Sequence, residues 1–420
     1  MCFRIFTLKN AVVMMLITLA LSLLSSAQTE STIFTFGEST NFWPQGAVLE
    51  DSSGNLYGTT KGGGAYGVGT VYELSPPAVA GGAWTQTFLY SFVPYGGGGY
   101  VPFSDLVRDQ AGALYGTFFS GGDPTCNCGG VYKLTPPATQ GGAWTESAIY
   151  TFKSTDGHLP SNGALALTKT GTLYGTTTAG GTYDSGVLYQ LTTKNGKSYS
   201  ETVLYSFGNT GDADTPNGPI LLDSTGNLYG VTSLGGAFAQ GALYKYVPST
   251  KTESLLFSFG GSSTTGSTPS GSLIFDNLGN LYGVTTYGGS NDDGVVYELS
   301  PSNPTWTQTI LYTFSTDSGV NPLAGLSWNH TNNNLYGTTS NMNVHPAGAG
   351  TVFKLVPPAK KGGTWTETTL EQFTYKINGG YPTGVVTRDA TTGTLYGTAQ
   401  QGGIEGCDLY CGVVWQITNP

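Results

Sequence analysis

Gly54-Asn55-Leu56-Tyr57-Gly58-Thr59-Thr60 decides the architecture, because its core returns at Leu114-Tyr115-Gly116, Leu173-Tyr174-Gly175, Leu228-Tyr229-Gly230, Leu281-Tyr282-Gly283, Leu335-Tyr336-Gly337 and Leu395-Tyr396-Gly397. The seven tyrosines are 58, 59, 55, 53, 54 and 60 residues apart. That period lies just above the roughly 40–50 residues of familiar propeller blades. Four short β-like runs recur around each copy, bounded by Gly, Pro, Asn or Asp.

The first run follows a proline: Pro44, Pro102, Pro160, Pro216, Pro269, Pro322 or Pro382, each 13 or 14 residues before its tyrosine. A turn such as Asp51-Ser52-Ser53-Gly54 then reverses the chain. Its Asp can bond its own backbone and its Gly can take positive φ, and the spacing is not that of a calcium loop. The second run is the Leu-Tyr-Gly stretch, which leaves through a glycine pair in six units, with Asn341-Met342-Asn343 instead in the sixth. The third is Gly69-Thr70-Val71-Tyr72-Glu73-Leu74 and its echoes, and the fourth is Trp84-Thr85-Gln86-Thr87-Phe88-Leu89-Tyr90-Ser91-Phe92 and its copies.

The two ends fix the topology. Thr32-Ile33-Phe34-Thr35-Phe36 matches a fourth run but precedes the first unit, whereas the seventh unit stops after its third. An N-terminal strand completing the last blade closes the ring and removes its open edges. The expected fold is therefore all-β: a seven-bladed β-propeller of four-stranded blades. In the column three residues after the proline (four in the third unit), Ala47, Asp105, Ala164, Pro219, Ser272, Gly325 and Val385 are small but for one carboxylate. The first strand is thus expected to be innermost, with Asp105 lining the channel.

Composition narrows the function. Charged residues are 10% of the 420, against about 25% in an average chain, and there are 64 glycines. The net charge of −10 would repel phosphate backbones, and no basic stripe offsets it, so nucleic acid is excluded as a partner. Met1 to Ala27 reads as a signal peptide, with Arg4 and Lys9, an apolar run from Ala11 to Leu24, and Ser25-Ser26-Ala27. Its removal takes away two positive charges, so −10 becomes −12. Residues 28–420 then form one propeller domain, expected as a secreted (extracellular or periplasmic) monomer with no membrane span.

The repeat, roughly Gly-Asn-Leu-Tyr-Gly-Thr-Thr, then Gly-Gly, then Gly-Thr-Val-Tyr-Lys-Leu, resembles the Gloeo/Verruco (GloVer) tandem repeat of secreted bacterial proteins, over residues 31 to 418. The resemblance implies a "choice-of-anchor" type of surface protein and supplies no catalytic motif.

Function is expected where the repeats differ. The connections entering the first strand and joining the second to the third share one face. They carry Trp43, Tyr66, Tyr100, His158, Tyr183, Asp212, Asp214, Asp292, Asp293, His345 and Tyr381. Aromatics beside carboxylates suit stacking on sugar rings and bonding of hydroxyls. With Asp105 they form the candidate binding set for a polysaccharide or surface protein. A carbohydrate-active propeller enzyme (hydrolase or lyase), with a His and Asp pair as acid and base, is one alternative, and a structural surface component is another. His330 sits in a turn on the other face. No His or Cys spacing supports a metal, so no cofactor is expected. After export Cys126, Cys128, Cys407 and Cys411 are expected in disulfides, Cys407 with Cys411 locally. A four-thiolate zinc site would need loops two units apart to meet.

Overall fold

The computed structural model describes residues 28–37, 41–79, 81–94, 98–139, 141–160, 163, 165–260, 265–302, 305–341, 348–360, 362–403 and 411–420. Every regular element among them is a strand. Seven antiparallel sheets form a ring, each ordered outward from the axis as in the first blade: Asn41–Glu50, Leu56–Gly63, Thr70–Ser75 and Thr85–Ser91. The seventh blade takes its outermost strand, Thr29–Phe36, from the start of the propeller. It pairs with Gly412–Thr418 in a register running from Thr29 opposite Thr418 to Phe36 opposite Gly412. The expected closure is present.

There is no single core. Seven apolar clusters occupy the seven clefts between blades, and side-chain alternation along the second strand builds them. Leu56 points into the cleft shared with the seventh blade, beside Tyr396 and Val414, whereas Tyr57 points into the next cleft, beside Leu106 and Leu114. The seven leucines are fully buried and their tyrosines nearly so, each leucine contributing about 1.5–3 kcal/mol.

The third member of the repeat has a more specific task than close approach of strands. Gly58 pairs with Tyr72 on the third strand, and a Cβ on Gly58 would overlap the Tyr72 hydroxyl. The same clash awaits at Gly116 with Tyr132, Gly175 with Tyr189, Gly230 with Tyr244, Gly283 with Tyr297, Gly337 with Phe353 and Gly397 with Trp415. Glycine clears a slot through which the aromatic ring lies flat across the sheet. Each of those rings meets a Phe from the neighbouring blade. Phe36 meets Tyr72 at 5.1 Å between centroids, Phe92 meets Tyr132 at 5.1 Å and Phe152 meets Tyr189 at 4.9 Å, mostly edge to face.

The prolines also act between blades. The residue before each one is left-handed: Trp43, Val101, Leu159, Thr215, Thr268, Asn321 and Tyr381 have φ between 52° and 60°. Five are β-branched or aromatic types that rarely adopt this conformation, so each turn is held by its surroundings. The twist aims its amide at the preceding blade, as when Val101 donates to Val68 at 2.9 Å and Thr215 to Ser185 at 3.1 Å. The following proline ring packs on the glycine before that blade's third strand: Pro102 on Gly69, Pro216 on Gly186, Pro44 on Gly412. Seven identical staples thus tie the inner strands together.

The aspartate turns are structural, as their sequence implies. Asp51 accepts the amides of Ser53 at 2.8 Å and Asn55 at 3.0 Å, and its second oxygen accepts the Tyr57 hydroxyl at 3.1 Å. Asp109, Asp223 and Asp276 repeat the pattern.

Candidate functional site

The innermost strands converge on the axis, and the face where they begin opens into a funnel of about 380 Å³. Two repeat positions build its wall. The first is the residue directly after each proline: Gln45, Phe103, Asn217, Ser270, Leu323 and Thr383. The third blade's counterparts, 161 and 162, lie outside the described residues. This column is polar, apolar, large and small by turns, so here the ring abandons its sevenfold symmetry.

The second position lies four residues after the repeat tyrosine. In blades three to six it holds Thr178, Ser233, Thr286 and Ser340, whose hydroxyls are occupied by the protein itself. Thr178 donates to the Leu159 carbonyl at 3.1 Å, Ser233 to Thr215 at 3.2 Å and Ser340 to Asn321 at 3.0 Å, while Thr286 shares a bond with Ser270 at 3.2 Å. The hydroxyls of Thr178, Ser233 and Ser340 hold the left-handed residues of their blades in place. Blades one, two and seven carry Lys61, Phe119 and Gln400 instead. The Lys61 ammonium lies over the Phe103 ring at 5.3 Å, and Phe103 meets Phe119 at 5.2 Å. Gln400 donates to Thr383 Oγ1 at 2.6 Å and reaches Gln45 Oε1 at 3.5 Å. Lys61 and Gln400 line the funnel with Trp43 and Gln401, and Phe119 packs on the lining Phe103, which makes one elaborate sector of an otherwise plain funnel.

Below, the funnel narrows to a neck of about 30 Å³, and Asn217, Leu323 and Thr383 line both spaces. Glycines bring the blades together there: a Cβ on Gly384 would overlap the Gly46 backbone, and one on Gly218 would meet the Gly271 carbonyl at 2.5 Å. Asp105 also lines the neck, as its place in the small column predicts. Its Oδ1 accepts the Ala47 amide at 2.6 Å, and burial, partly offset by that bond, pushes the carboxyl up to about 6.

Of the other expected residues that are described, only Trp43 lines the funnel. Tyr66 and Tyr183 are exposed at loop tips, at 57% and 48%. Tyr100 packs in the cleft between blades one and two and reaches Asn127 at 3.5 Å. Tyr381 lies edge-on to Tyr375 at 5.4 Å. His158 starts the third blade's inner strand opposite Ala179, and no hydrogen bond joins it to Asp105. Four aspartates serve local structure. Asp212 accepts the Tyr205 hydroxyl at 2.8 Å, Asp214 accepts the Thr215 hydroxyl at 2.9 Å and Asp292 accepts the Gly288 amide at 2.8 Å. Asp293, raised by burial and then by the Asp292 charge, uses its carbonyl for the Asn321 staple at 3.0 Å. His345 lies outside the described residues.

Cys126 and Cys128 form a disulfide with Cα atoms 5.1 Å apart, and Cys411 is also disulfide-bonded. Cys407 lies outside the described residues. With three of the four sulfurs oxidised, no four-thiolate zinc site is available. Among the described residues no group of three or more His, Cys, Asp or Glu side chains could hold a metal.

On the opposite face a groove of about 640 Å³ runs between blades four and five, past Asp223, Tyr229, Asp276 and Trp306. It is built from the repeat's own turn residues, so it lacks the individuality of the funnel.

Fold and site together define a seven-bladed β-propeller with an asymmetric axial funnel. A family model of the Gloeobacter/Verrucomicrobia repeat matches residues 20–222, 107–344 and 216–420, and the chain belongs to that family. No curated protein matches the sequence. Among solved structures, a "putative 6-phosphogluconolactonase" from Bacteroides uniformis is similar at 14% identity and a TM-score of 0.53, covering 84% of this chain and 90% of that one. A luciferin-regenerating enzyme matches at 13% identity, with 94% and 96% coverage and a TM-score of 0.45. The extracellular domain of a one-component system from B. thetaiotaomicron matches at 14% identity, with 93% and 42% coverage and a TM-score of 0.49. At such identities the likeness is one of fold alone.

Proposed function

We propose that the protein is an exported binding propeller whose funnel receives a neutral, hydroxyl-rich ligand, such as the end of a polysaccharide. The observation that carries this reading is the break in symmetry at Lys61, Phe119 and Gln400. Three blades turn a small hydroxyl at that position onto their own backbone and a fourth bonds it to Ser270, while three carry large side chains: Lys61 and Gln400 beside Trp43 and Phe103 in the funnel, and Phe119 against Phe103. Amide and hydroxyl groups flanked by aromatic faces match sugar hydroxyls and the apolar faces of sugar rings. The volume of about 380 Å³ falls within the size range of small-molecule pockets.

The test is a glycan array followed by calorimetry on the best hit. Binding by the parent that is lost in Trp43→Ala and weakened in Gln400→Ala is expected. Equal binding by all three proteins would remove the funnel as the site.

A further inference from the structure

The elaborate sector of the funnel offers more unused donors than unused acceptors, and that imbalance narrows the ligand. Gln45 lines the funnel although it is only 4% exposed. Its Oε1 accepts Gln400 Nε2 at 3.5 Å, while its own Nε2 donates to no described residue. A buried amide held at one end and unbonded at the other is costly unless something entering the funnel accepts from it. Lys61 supplies a second donor from the same blade. Its ammonium rests over the Phe103 ring at 5.3 Å, and among the described residues the only ion pair joins Arg108 to Asp51.

The acceptors of this sector are already engaged. Thr383 Oγ1 and Gln45 Oε1 both take bonds from Gln400, and the Ser270 hydroxyl is shared with Thr286 and the Pro322 carbonyl. Gln401 Oε1 is buried and so closed off from the open space. A plain sugar hydroxyl is donor and acceptor at once, and here its proton would find no partner. A substituent whose tip only accepts suits the sector, and sugars carry two common ones: a carboxylate and the carbonyl of an acetamido group. The carboxylate is disfavoured. Asp105 lines the neck directly beneath, where Asn217 and Thr383 border both spaces, and the chain as a whole carries −10. An acetamido group is uncharged, and its methyl matches the aromatic faces of Trp43 and Phe103.

We propose that the funnel receives an N-acetylated amino sugar, whose acetamido carbonyl accepts from Gln45 Nε2 and Lys61 Nζ while its methyl lies against Trp43 and Phe103. This rests on the funnel as the binding site and adds the substituent that the site selects. Asn217 borders the same space from the fourth blade and serves the ring hydroxyls.

Calorimetric titration of the full chain with N,N′-diacetylchitobiose, cellobiose and cellobiouronic acid tests the substituent, because the three share one backbone and differ in carrying acetamido groups, hydroxyls alone or a carboxylate. The acetamido sugar is expected to bind at least about tenfold more tightly than either analogue, the effect of one or two hydrogen bonds. Gln45→Glu keeps an oxygen for Gln400 and turns the donor into an acceptor, so it should bring the ratio of acetamido sugar to cellobiose close to one. Lys61→Met keeps the aliphatic stem on Phe103 and should lower that ratio about threefold or more. Should Gln45→Glu not fold, Lys61→Met decides, and an unchanged ratio sinks the proposal. A parent that binds none of the three, or that prefers cellobiose or cellobiouronic acid, overturns it. Equal binding of the acetamido sugar and cellobiose, with both lost in Trp43→Ala, overturns it too but leaves the funnel as the binding site. An acetamido preference that survives in Trp43→Ala, Gln45→Glu and Lys61→Met alike removes both readings.

Discussion

The amide of Trp43 donates to the carbonyl of Cys411 at 3.2 Å, so the first blade's inner strand is stapled directly to the seventh blade's third strand across the point where the ring closes. The Pro44 ring packs on Gly412 in the same contact. Six other blade junctions carry the same bond and the same proline on glycine, so the seam is built like any other junction. What differs is covalent order, because the blade completed here takes Thr29–Phe36 from the far end of the domain.

Removing residues 29–36 is therefore expected to undo more than one strand. It exposes the edge of Gly412–Thr418 and takes Phe36 from its contact with Tyr72. The truncated chain should aggregate or lose cooperative unfolding, as read by circular dichroism and size-exclusion chromatography. Phe36→Ala alone should cost about 3–5 kcal/mol in urea denaturation, the usual range for a fully buried Phe.

Gly116 and Tyr132 make a complementary pair with opposite tolerances. Blade six already uses Phe353 where five blades have tyrosine, so that position accepts a ring without a hydroxyl. Tyr132→Phe should leave the urea midpoint close to the parent's, within about 1 kcal/mol. Gly116→Ala forces a Cβ into the Tyr132 hydroxyl and should cost about 1–3 kcal/mol or more. A mild effect of Gly116→Ala would show that the aromatic slot is looser than its packing indicates.

The blades could be read from sequence because each is specified by a local pattern repeated seven times. Strand order, ring closure and the facing of Leu56 and Tyr57 all follow from period-two alternation and from the position of Phe36. The funnel is less legible in the sequence. Loop residues such as Tyr66 and Asp292 share a face with it, but sharing a face does not bring side chains to the axis. The residues that do converge, Gln45, Phe103, Asn217 and Thr383, sit on the inner strands directly after the prolines. Their signal was present as a column of unlike residues inside an otherwise uniform repeat. Asp105 was legible for that reason, as the one charge in a column of small side chains.

Among the described residues several clefts bring carboxylates together without an ion pair, which sets the direction of the pH response. Glu30, Glu201 and Glu253 are each pushed up to about 7, first by burial and then by the charge of Glu371, Asp156 and Asp212 respectively. Between their ordinary value near 4.5 and about 7 the folded chain holds more protons than the unfolded one, so stability falls as pH rises through that window. At the acid end the opposite sign applies. Burial alone would raise Asp223, but hydrogen bonds from Thr225 and Asn227 hold it at about 2, and its contribution is lost as pH falls below 3.8. The urea midpoint should therefore peak at about pH 4, between the ordinary values 3.8 and 4.5, and decline until about pH 7. Glu201→Gln should flatten the decline, and a midpoint rising steadily to pH 8 would contradict these shifts.

The funnel's asymmetric sector can be separated from the scaffold by making it resemble the plain one. Lys61→Thr, Phe119→Thr and Gln400→Thr together give blades one, two and seven the hydroxyls that blades three, four and five already carry at that position. Those hydroxyls bond the carbonyl of their own left-handed residue in blades three and four, so the replacements have a partner waiting. Stability should change by no more than about 1 kcal/mol for the set. Binding of a carbohydrate ligand should fall at least tenfold, about 1.4 kcal/mol, because the amide and the ammonium leave the funnel together and Phe103 loses its contact with Phe119. Tyr66→Ala and Tyr183→Ala, at exposed loop tips, should leave affinity unchanged. If the loop variants weaken binding and the triple variant does not, recognition lies on the rim and the funnel is only the hole through the ring.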